Sequence, residues 1–279
     1  MLVPITSIDD PRVLDYQGVK VRQVRLAPGS LPPDLARAGE FCNGTFLAEG
    51  ELVVQHLLRS RFHTRSVFLT HTRLETMRQT LALLPESTPV FVASQDIMSG
   101  VVGFDIHRGV LASADRGDLA TLPALLASRP RGLVLLEDLA NVDNVGAIFR
   151  NTSALAAGFA IVLSPRCCDP LYRKAIRVSM GHILRIPFAF ASDWGAALNE
   201  ICSAGYTLLA LTPGPGSVDI ADLARIDRPA ILVGTEGAGV SKQAAAKADK
   251  QVRISMVPGV DSLNVSVAAA IALHRLGSV

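Results

Sequence analysis

Short apolar runs alternate with stretches of helical spacing in the second half of the chain. The runs that predict strands are Gly132–Leu136, Phe159–Leu163, Tyr206–Leu211, Ala230–Val233 and Gln251–Ser255, with an extended segment at Leu184–Phe188. The spacing predicts helices over Val145–Ala157, Leu171–Met180, Trp194–Ala204 and Val265–Leu276. Strands that are apolar throughout and alternate with helices indicate an α/β fold, with a parallel sheet covered on both faces.

The first half of the chain alternates less clearly. Residues 1 to about 40 are rich in Pro, Gly and Asp and predict an arm with little regular structure. Beyond them, helices are predicted at Glu51–Arg59 and Arg73–Leu84, strands at Val67–Thr70 and Pro89–Ala93, and a helix cap at Ser94. The pattern divides the chain into an N-terminal part (1–108), a linker (109–130) with one helical turn, and a C-terminal domain (131–279).

Composition narrows the class of protein. The chain is 49% hydrophobic and 19% charged, which is enough apolar material for a full core. No apolar stretch is long enough to span a membrane, and the N-terminus lacks the basic region of a signal peptide. The four cysteines fit neither a disulfide framework nor a zinc pattern, so we expect a cytoplasmic protein. The six histidines show no metal-binding spacing, so no metal site is predicted.

The formal net charge of +2 does not by itself indicate a partner, but two clusters of basic residues are candidate phosphate-binding surfaces. One cluster contains five arginines between positions 59 and 78, and the other contains four arginines and a lysine between positions 166 and 185. The candidate RNA-binding residues in these clusters are Arg59, Arg61, Arg65, Arg173 and Arg177. Arginine offers a planar fork to phosphate oxygens, although solvated helix faces would explain the clusters equally well.

Three loops contain candidate functional residues, and the first of them follows the strand predicted at Gly132–Leu136. Asn144 is a candidate helix cap, and Gly146 allows close approach to the backbone. Arg150 lies near the positive end of the helix, where a cation is unfavourable unless a partner compensates it. The alternative reading of Arg150 is a surface arginine paired with a carboxylate.

The second loop has three glycines in six positions, from Gly234 to Gly239. Its spacing approaches that of a phosphate-binding loop, but Val240 stands where the lysine is required, so triphosphate binding is disfavoured. Glu236 suits an arginine or a sugar hydroxyl better than a phosphate. The alternative is a tight turn followed by a helix that Ser241 caps.

The third loop contains Ser262 and Asn264 and leads into the last predicted helix. Both residues are good helix caps, so capping alone would account for either of them. The small residues of the run Ala268–Ala272 favour a helix that packs closely on a partner, including a second subunit.

Taken together and in this order, the three loops resemble the three motifs of the SpoU family, the TrmH-type knotted RNA methyltransferases. The segment from Asn141 to Arg150 resembles the motif N-x-x-N-x-G-A-x-x-R. The loop from Gly234 to Gly239 resembles G-x-E-x-x-G, and Ser262 to Ser266 reads S-L-N-V-S. The sequence departs from the family pattern at Ser255, where proline is usual, and at Val142-Asp143. Neither departure removes a reactive group.

The resemblance implies a C-terminal trefoil-knot domain that binds S-adenosylmethionine and works as a homodimer with a shared site. The positions that match the family's cofactor contacts are Leu211, Thr212, Gly234, Ile254, Met256 and Leu263. The positions that match its catalytic residues are Arg150, Asn144, Glu236, Ser262 and Asn264. The N-terminal part, about Phe41 to Leu111, resembles more loosely the small L30e-like RNA-binding domain that many such enzymes carry.

We therefore expect a methyltransferase that acts on a ribose 2′-hydroxyl of structured RNA, with rRNA favoured over tRNA. One alternative is a catalytically inactive RNA-binding or ribosome-assembly protein of the same fold, and another is a nucleotide-binding α/β enzyme of a different type. A cysteine nucleophile at Cys167 or Cys168 is disfavoured because no base lies near it in sequence. The particular nucleotide, the proton acceptor and a role in antibiotic resistance are left open by the sequence.

Overall fold

The computed structural model describes residues 1–17, 44–214 and 216–277. In chain order, the strands of this part are β1 (Leu2–Pro4), β2 (Thr45–Glu49), β3 (Thr64–Thr70), β4 (Val90–Ala93), β5 (Val110–Asp115), β6 (Gly132–Leu136), β7 (Phe159–Leu163), β8 (Phe188–Phe190), β9 (Thr207–Leu211), β10 (Val218–Asp219), β11 (Pro229–Val233) and β12 (Lys250–Arg253). Its helices are α1 (Glu51–Leu58), α2 (His71–Leu81), α3 (Gln95–Val102), α4 (Leu122–Ala127), α5 (Val142–Leu155), α6 (Arg173–Val178), α7 (Trp194–Ser203), α8 (Lys242–Lys247) and α9 (Val265–Leu276). Short 3-10 turns lie at Pro11–Tyr16, His182–Leu184 and Ile220–Asp222.

The chain divides into two compact units whose boundaries differ from the predicted ones. The first unit is Met1–Asp118 with Asp169–Arg185, and the second is Leu119–Cys168 with Ile186–Val279. The predicted linker, 109–130, contains β5, which pairs with two strands of the first unit, and α4, which packs in the core of the second. The segment Asp169–Arg185 lies in the first unit because its helix α6 contacts β2.

The first unit is built on a mixed sheet. Its described strands lie in the order β1-β4-β3-β5-β2, with β1, β4 and β3 parallel to one another and β5 antiparallel to both β3 and β2. Ser94 caps α3, as predicted, because its Oγ accepts a hydrogen bond from the Ile97 amide. The resemblance of this unit to an L30e-like domain stays a prediction.

The beginning of the chain is more ordered than the composition predicts. Residues 2–4 form the edge strand β1 on β4, and the Tyr16 ring is fully buried against Phe68, with the centroids 5.2 Å apart. The Tyr16 hydroxyl hydrogen-bonds Ser66 Oγ at 2.7 Å and accepts from the Ser113 amide at 3.2 Å. The prediction of an irregular arm is therefore wrong for residues 1–17, and residues 18–43 lie outside the described part.

An ion pair between the half-buried Arg173 and the buried Glu49 joins α6 to β2 inside the first unit. Arg173 Nη1 donates to Glu49 Oε2 at 2.6 Å, and the side chains are 13% and 6% exposed. The guanidinium of Arg173 also lies 4.9 Å from the centre of the Phe104 ring. The prediction that Arg173 binds RNA is therefore corrected, because its charge is committed to Glu49. Arg177, 3.9 Å from the same carboxylate oxygen, is more exposed.

Replacing Arg173 by methionine should lower the free energy of unfolding by about 3–5 kcal/mol, because Glu49 would keep a buried charge without its main partner. Thermal or denaturant unfolding of Arg173→Met would measure this loss. The double variant Glu49→Gln with Arg173→Met should regain most of the stability, since it removes both charges together. A double variant less stable than the single one would contradict this account.

The second unit contains an all-parallel sheet, as predicted. Among the described residues its strands lie in the order β10-β12-β9-β11-β6-β7-β8, and each neighbouring pair is parallel. Strands β6, β7 and β11 are buried along their whole length. Their continuous apolar runs follow from this burial, since both faces of the sheet are covered. The trefoil knot stays a prediction.

Helix α5 begins earlier than predicted because the cap is a different asparagine. Asn141 Oδ1 accepts hydrogen bonds from the amides of Asp143 and Asn144 at 2.9 and 3.4 Å, so Asn141 is the N-cap. The prediction that Asn144 caps the helix is therefore wrong. Asn144 instead lies inside the first turn of α5, where its side chain is buried.

Candidate active site

A cavity of about 790 Å³ opens at the carboxyl ends of β9, β11 and β12 in the second unit. Ends of neighbouring parallel strands meet at one edge of a sheet, so the loops that follow these strands share the cavity wall. Its lining residues fall in four segments: Leu211–Gly214, Val233–Val240, Val252–Met256 without Ser255, and Asp261–Val265 with Ala268. Two of the three predicted loops thus line one cavity.

All six positions predicted to contact the cofactor line this cavity. They are Leu211, Thr212, Gly234, Ile254, Met256 and Leu263. Of the predicted catalytic residues, Glu236, Ser262 and Asn264 also line it.

The glycine loop folds tightly back on itself. The Gly239 amide donates to the Thr235 carbonyl at 2.9 Å, and the two residues form an isolated antiparallel bridge. A Cβ placed on Gly234 would lie 2.0 Å from the Gly239 carbonyl oxygen and 2.3 Å from the Val240 nitrogen. Gly234 is therefore required by main-chain packing inside the loop.

A buried carboxylate that the sequence analysis did not single out holds the far end of the glycine loop. Glu137 is 5% exposed and follows β6 directly. Its Oε2 accepts from the Ser241 amide and its Oε1 accepts from Ser241 Oγ, both at 2.8 Å. Ser241 Oγ in turn accepts from the Ala244 amide and caps α8, as predicted. An acidic residue directly after a buried strand is the signal that could have identified Glu137.

Three polar side chains, one from each predicted loop, meet beside the cavity. Asn144 Nδ2 donates to Glu236 Oε1 at 2.6 Å. Asn264 Nδ2 donates to the same oxygen at 3.2 Å and to Asn144 Oδ1 at 3.0 Å. We call Asn144, Glu236 and Asn264 the polar triad. It joins residues that are 92, 120 and 28 positions apart in the sequence.

Asn264 has a second role as the N-cap of α9. Its Oδ1 accepts from the Ser266 amide at 2.9 Å and from Ser266 Oγ at 2.7 Å. The Ser266 carbonyl accepts from Asn151 Nδ2 at 3.0 Å, which ties the start of α9 to α5. The capping predicted for Asn264 is therefore confirmed, and the cap fixes the direction of its amide toward the triad.

Replacing Asn144 by aspartate should destabilise the protein at neutral pH, because a buried carboxylate would then face Glu236. Burial and the like charge would raise the pKa of the introduced carboxyl above its unfolded value. The loss of stability is therefore largest above the raised pKa and disappears as the pH falls below the unfolded value of about 3.9. Denaturant unfolding at several pH values would measure the effect.

Asn141→Asp is the matched control for Asn144→Asp. It makes the same chemical change three residues away, at an exposed N-cap where aspartate is well tolerated. We expect nearly wild-type stability from it at neutral pH. Equal stability of the two variants at every pH would show that Asn144 is not held as described.

Arg150 lies on the exposed side of α5 and does not line the cavity. Its side chain makes no hydrogen bond or ion pair with any residue that the structure describes. The alternative of a surface arginine paired with a carboxylate is therefore not what the described residues show. The structure brings four of the five predicted catalytic residues together, and Arg150 is not among them within one chain.

The arginines predicted to bind RNA have different environments. Arg59 and Arg61 are exposed, and Arg61 lies 4.9 Å from the centre of the Phe62 ring. Arg65 is paired with Asp15 at 3.1 Å and with Asp115 at 3.3 Å. Of this set, Arg59 and Arg61 are exposed and Arg177 is 40% exposed, whereas Arg65, 45% exposed, is held by two carboxylates.

Two further residues bear on the sequence predictions. Ser255, where the family usually has proline, donates a hydrogen bond to Asp219 that lowers the pKa of that carboxyl.

The Cys167 thiol is fully buried, donates to the Leu136 carbonyl at 3.1 Å, and has its pKa raised by burial. A thiol in this state is a poor nucleophile.

The sequence profile of the SpoU rRNA methylase family matches residues 132–274, which is just over half of the chain. An uncharacterized tRNA/rRNA methyltransferase of Mycobacterium tuberculosis (strain H37Rv) is 39% identical over 270 residues. That alignment covers 96% of this chain and 88% of the relative. An uncharacterized tRNA/rRNA methyltransferase of Mycobacterium avium (strain 104) is 31% identical over 63% of this chain.

Solved structures share the fold over nearly the whole chain. The AdoMet-bound rRNA methyltransferase of Sinorhizobium meliloti superposes with a TM-score of 0.78 at 22% identity, covering 98% of this chain and 97% of its own. The SpoU methyltransferase AviRb of Streptomyces viridochromogenes gives a TM-score of 0.74 at 20% identity, covering 95% of each chain. A structure described as an RNA 2′-O ribose methyltransferase gives 0.72 at 22% identity, covering 99% and 97%.

The fold and the sequence matches define the protein as an RNA methyltransferase. The chain belongs to the SpoU rRNA methylase family, which confirms the resemblance drawn from the three loops. Among the helices of the described part, none is long and apolar enough to cross a membrane. Within the same residues, no group of three or more His, Cys, Asp or Glu side chains is arranged to hold a metal ion.

Proposed function

We propose that this protein transfers a methyl group from S-adenosylmethionine to a ribose 2′-hydroxyl of structured RNA. The observation that carries the proposal is the polar triad, which joins the first predicted loop to the two loops that line one cavity. Membership of the SpoU family supports the reaction class. The choice of a ribose oxygen as methyl acceptor is supported by the fold that this chain shares with the solved structure of an RNA 2′-O ribose methyltransferase.

The cavity fits an adenosyl cofactor that carries no phosphate. Its volume of about 790 Å³ lies in the range of small-molecule sites, about 300–1,000 Å³. Arg253 is the one cation among the described lining residues, and its guanidinium donates to the Ser217 carbonyl. The apolar side chains of Leu211, Ile254 and Leu263 offer surfaces for a base. When bound there, S-adenosylmethionine supplies an electrophilic methyl group on its sulfonium.

The chain's own residues position the reactants and stabilise charge. A ribose hydroxyl is a weak nucleophile near neutral pH, so its oxygen must gain negative character as the new bond forms. We assign Arg150 to this task, because a guanidinium stabilises a developing oxyanion and binds the neighbouring phosphate. Since a guanidinium is already fully protonated, the proton of O2′ leaves to water or to an RNA phosphate. Glu236 is a positioning residue held by two amides, and Ser262 lies on the cavity wall to bind RNA or cofactor.

Arg150 would reach a cavity across a homodimer interface rather than within its own chain. Five large apolar side chains around the cavity loop and α9 are exposed in the single chain: Val257, Val260, Leu263, Val267 and Ile271. An exposed apolar surface of this kind is typical of a subunit interface. We therefore propose a homodimer through the second unit, in which each site combines one chain's cavity with the other chain's Arg150.

The RNA substrate is proposed to be ribosomal RNA in preference to tRNA, in the cytoplasm. The first unit would add an RNA-binding surface, with Arg59, Arg61 and Arg177 as its accessible cations. A catalytically inactive assembly protein of the same fold is the rival function. The complete polar triad favours the enzyme, since an inactive binding protein has no need of it.

Mapping of 2′-O-methyl groups in cellular RNA, with and without the gene, tests this function directly. We expect one or a few ribose positions to lose methylation when the gene is deleted and to regain it with the wild-type gene. An unchanged map in rRNA and tRNA alike would favour the inactive assembly protein. A lost methyl group on a base would contradict the ribose assignment.

A further inference from the structure

A second, smaller cleft lies in the second unit at the other edge of its parallel sheet. Its volume is about 220 Å³. Arg131 directly precedes β6, Phe159 begins β7 and Pro229 begins β11, and all three line the cleft. The cleft therefore sits at the amino ends of these strands, whereas the active-site cavity sits at carboxyl ends. Nothing in the proposed reaction uses it.

Three arginines line this cleft, and they face little opposing charge. They are Arg131, Arg225 and Arg275, and Asp227 is the one carboxylate among the described lining residues. Arg225 and Asp227 are both 89% exposed and stand 3.6 Å apart, so solvent weakens their pairing. Two of the three positive charges thus have no carboxylate opposite them among the described lining residues.

The guanidinium group of Arg275 is held by a main-chain carbonyl, whereas that of Arg131 has no hydrogen-bond partner among the described residues. Arg275 Nη2 donates to the Leu223 carbonyl at 2.7 Å, which fixes its orientation, and no carboxylate of a described residue pairs with it. Arg131 packs its aliphatic stem near Gly158, and its guanidinium makes no hydrogen bond or ion pair within the described residues. Arg228 is three residues from Arg225, but its guanidinium lies 4.0 Å from the Tyr206 ring centre and donates to the Ala204 carbonyl. It is therefore not among the cations of the cleft.

We propose that this cleft binds a phosphate group, and that the phosphate belongs to the RNA backbone. Guanidinium forks match phosphate oxygens, and three of them around one cleft suit a single dianionic or monoanionic group. A volume of about 220 Å³ is below that of sites for whole nucleotides or cofactors, which favours one phosphate of a longer chain. The cleft would grip RNA away from the methylated nucleotide, and this part of the inference rests on the proposed function.

The test compares Arg131→Gln and Arg225→Gln, singly and together, with Lys250→Gln. Lys250 is an exposed cation of the same unit that does not line the cleft, so it controls for the loss of one charge. Arg275 is left in place because its hydrogen bond to Leu223 also supports the fold. Thermal unfolding should show that all these variants are as stable as the wild type, since the replaced side chains are exposed.

Binding of a short labelled RNA hairpin is measured over a salt series, and binding of inorganic phosphate by calorimetry. If the cleft holds RNA, each arginine replaced lowers the slope of log Kobs against log salt by about 1, while Lys250→Gln leaves it unchanged. If it holds a free phosphate, inorganic phosphate binds the wild type and is lost in the variants, with RNA binding unaltered.

Variants that bind RNA and phosphate as the wild type does would overturn the proposal. A wild type that binds neither ligand would overturn it as well. The proposed methyl transfer is judged separately, by the nucleoside that the wild-type protein methylates. Full methyl transfer together with unchanged binding by the arginine variants would therefore refute the cleft alone.

Discussion

Replacing Gly234 by alanine should abolish methyl transfer and weaken binding of S-adenosylmethionine by about 10-fold to 100-fold. The added Cβ would lie 2.0 Å from the Gly239 carbonyl oxygen and 2.1 Å from its carbon, and both are main-chain atoms. The loop can admit the methyl group only by opening, which moves the cavity wall and Glu236 with it. Overpacking of this kind costs about 1–3 kcal/mol, and 1.4 kcal/mol is a tenfold change in affinity.

Calorimetric titration of Gly234→Ala with S-adenosylmethionine would measure this loss. Gly195→Ala is the control, because its Cβ would meet no atom closer than 3.5 Å and it lies in α7. We expect it to bind normally and to be slightly more stable, as alanine favours a helix by about 0.5–1 kcal/mol over glycine. Wild-type affinity in Gly234→Ala would show that the glycine loop does not form the cavity wall.

Replacing Arg150 by alanine should reduce kcat for RNA methylation by about 100-fold to 1,000-fold while leaving affinity for S-adenosylmethionine unchanged. The two effects separate because Arg150 does not line its own chain's cavity. Arg150→Lys keeps the positive charge but loses the fork, so it should recover only part of the activity. Steady-state rates and cofactor titrations of the three proteins would measure both quantities. Undiminished methyl transfer in Arg150→Ala would remove this residue from the chemistry.

Mixing the inactive variants Arg150→Ala and Gly234→Ala tests whether Arg150 acts at the cavity of the partner subunit. A mixed dimer of Arg150→Ala and Gly234→Ala has one site that combines an intact cavity with an intact Arg150. If subunits exchange freely, half the dimers are mixed and each has one working site, so about a quarter of the activity should return. No recovery, with exchange shown by differently tagged chains, would contradict the shared site.

The sequence predicted the framework of the second unit better than its polar contacts. Strands β6 and β7 have the predicted bounds, because strands that are buried on both faces of a sheet consist of continuous apolar residues. Helix α9 also has the predicted bounds. Strand β5 was missed, since its residues Val110–Asp115 are mostly small and resemble a connector. The convergence of the loops was predictable from the parallel sheet, which places strand ends together.

Contacts between distant residues could not be read from local patterns. Asn144 looks like a helix cap in sequence, yet its amide bonds Glu236, 92 positions away. Arg173 looks like a solvated cation, yet it is paired with the buried Glu49, 124 positions away. Each pairing depends on tertiary folding that brings separate segments together, and neither has a periodic signal in the chain.

Ribose methylation by this protein is tested by methyl transfer in vitro from isotopically labelled S-adenosylmethionine to unmodified ribosomal RNA, followed by digestion and mass spectrometry of the nucleosides. We expect label in a single 2′-O-methylated nucleoside with the wild type, and none with Gly234→Ala or Glu236→Ala. Label on a base, or no label in RNA from an otherwise folded and cofactor-binding protein, would contradict it.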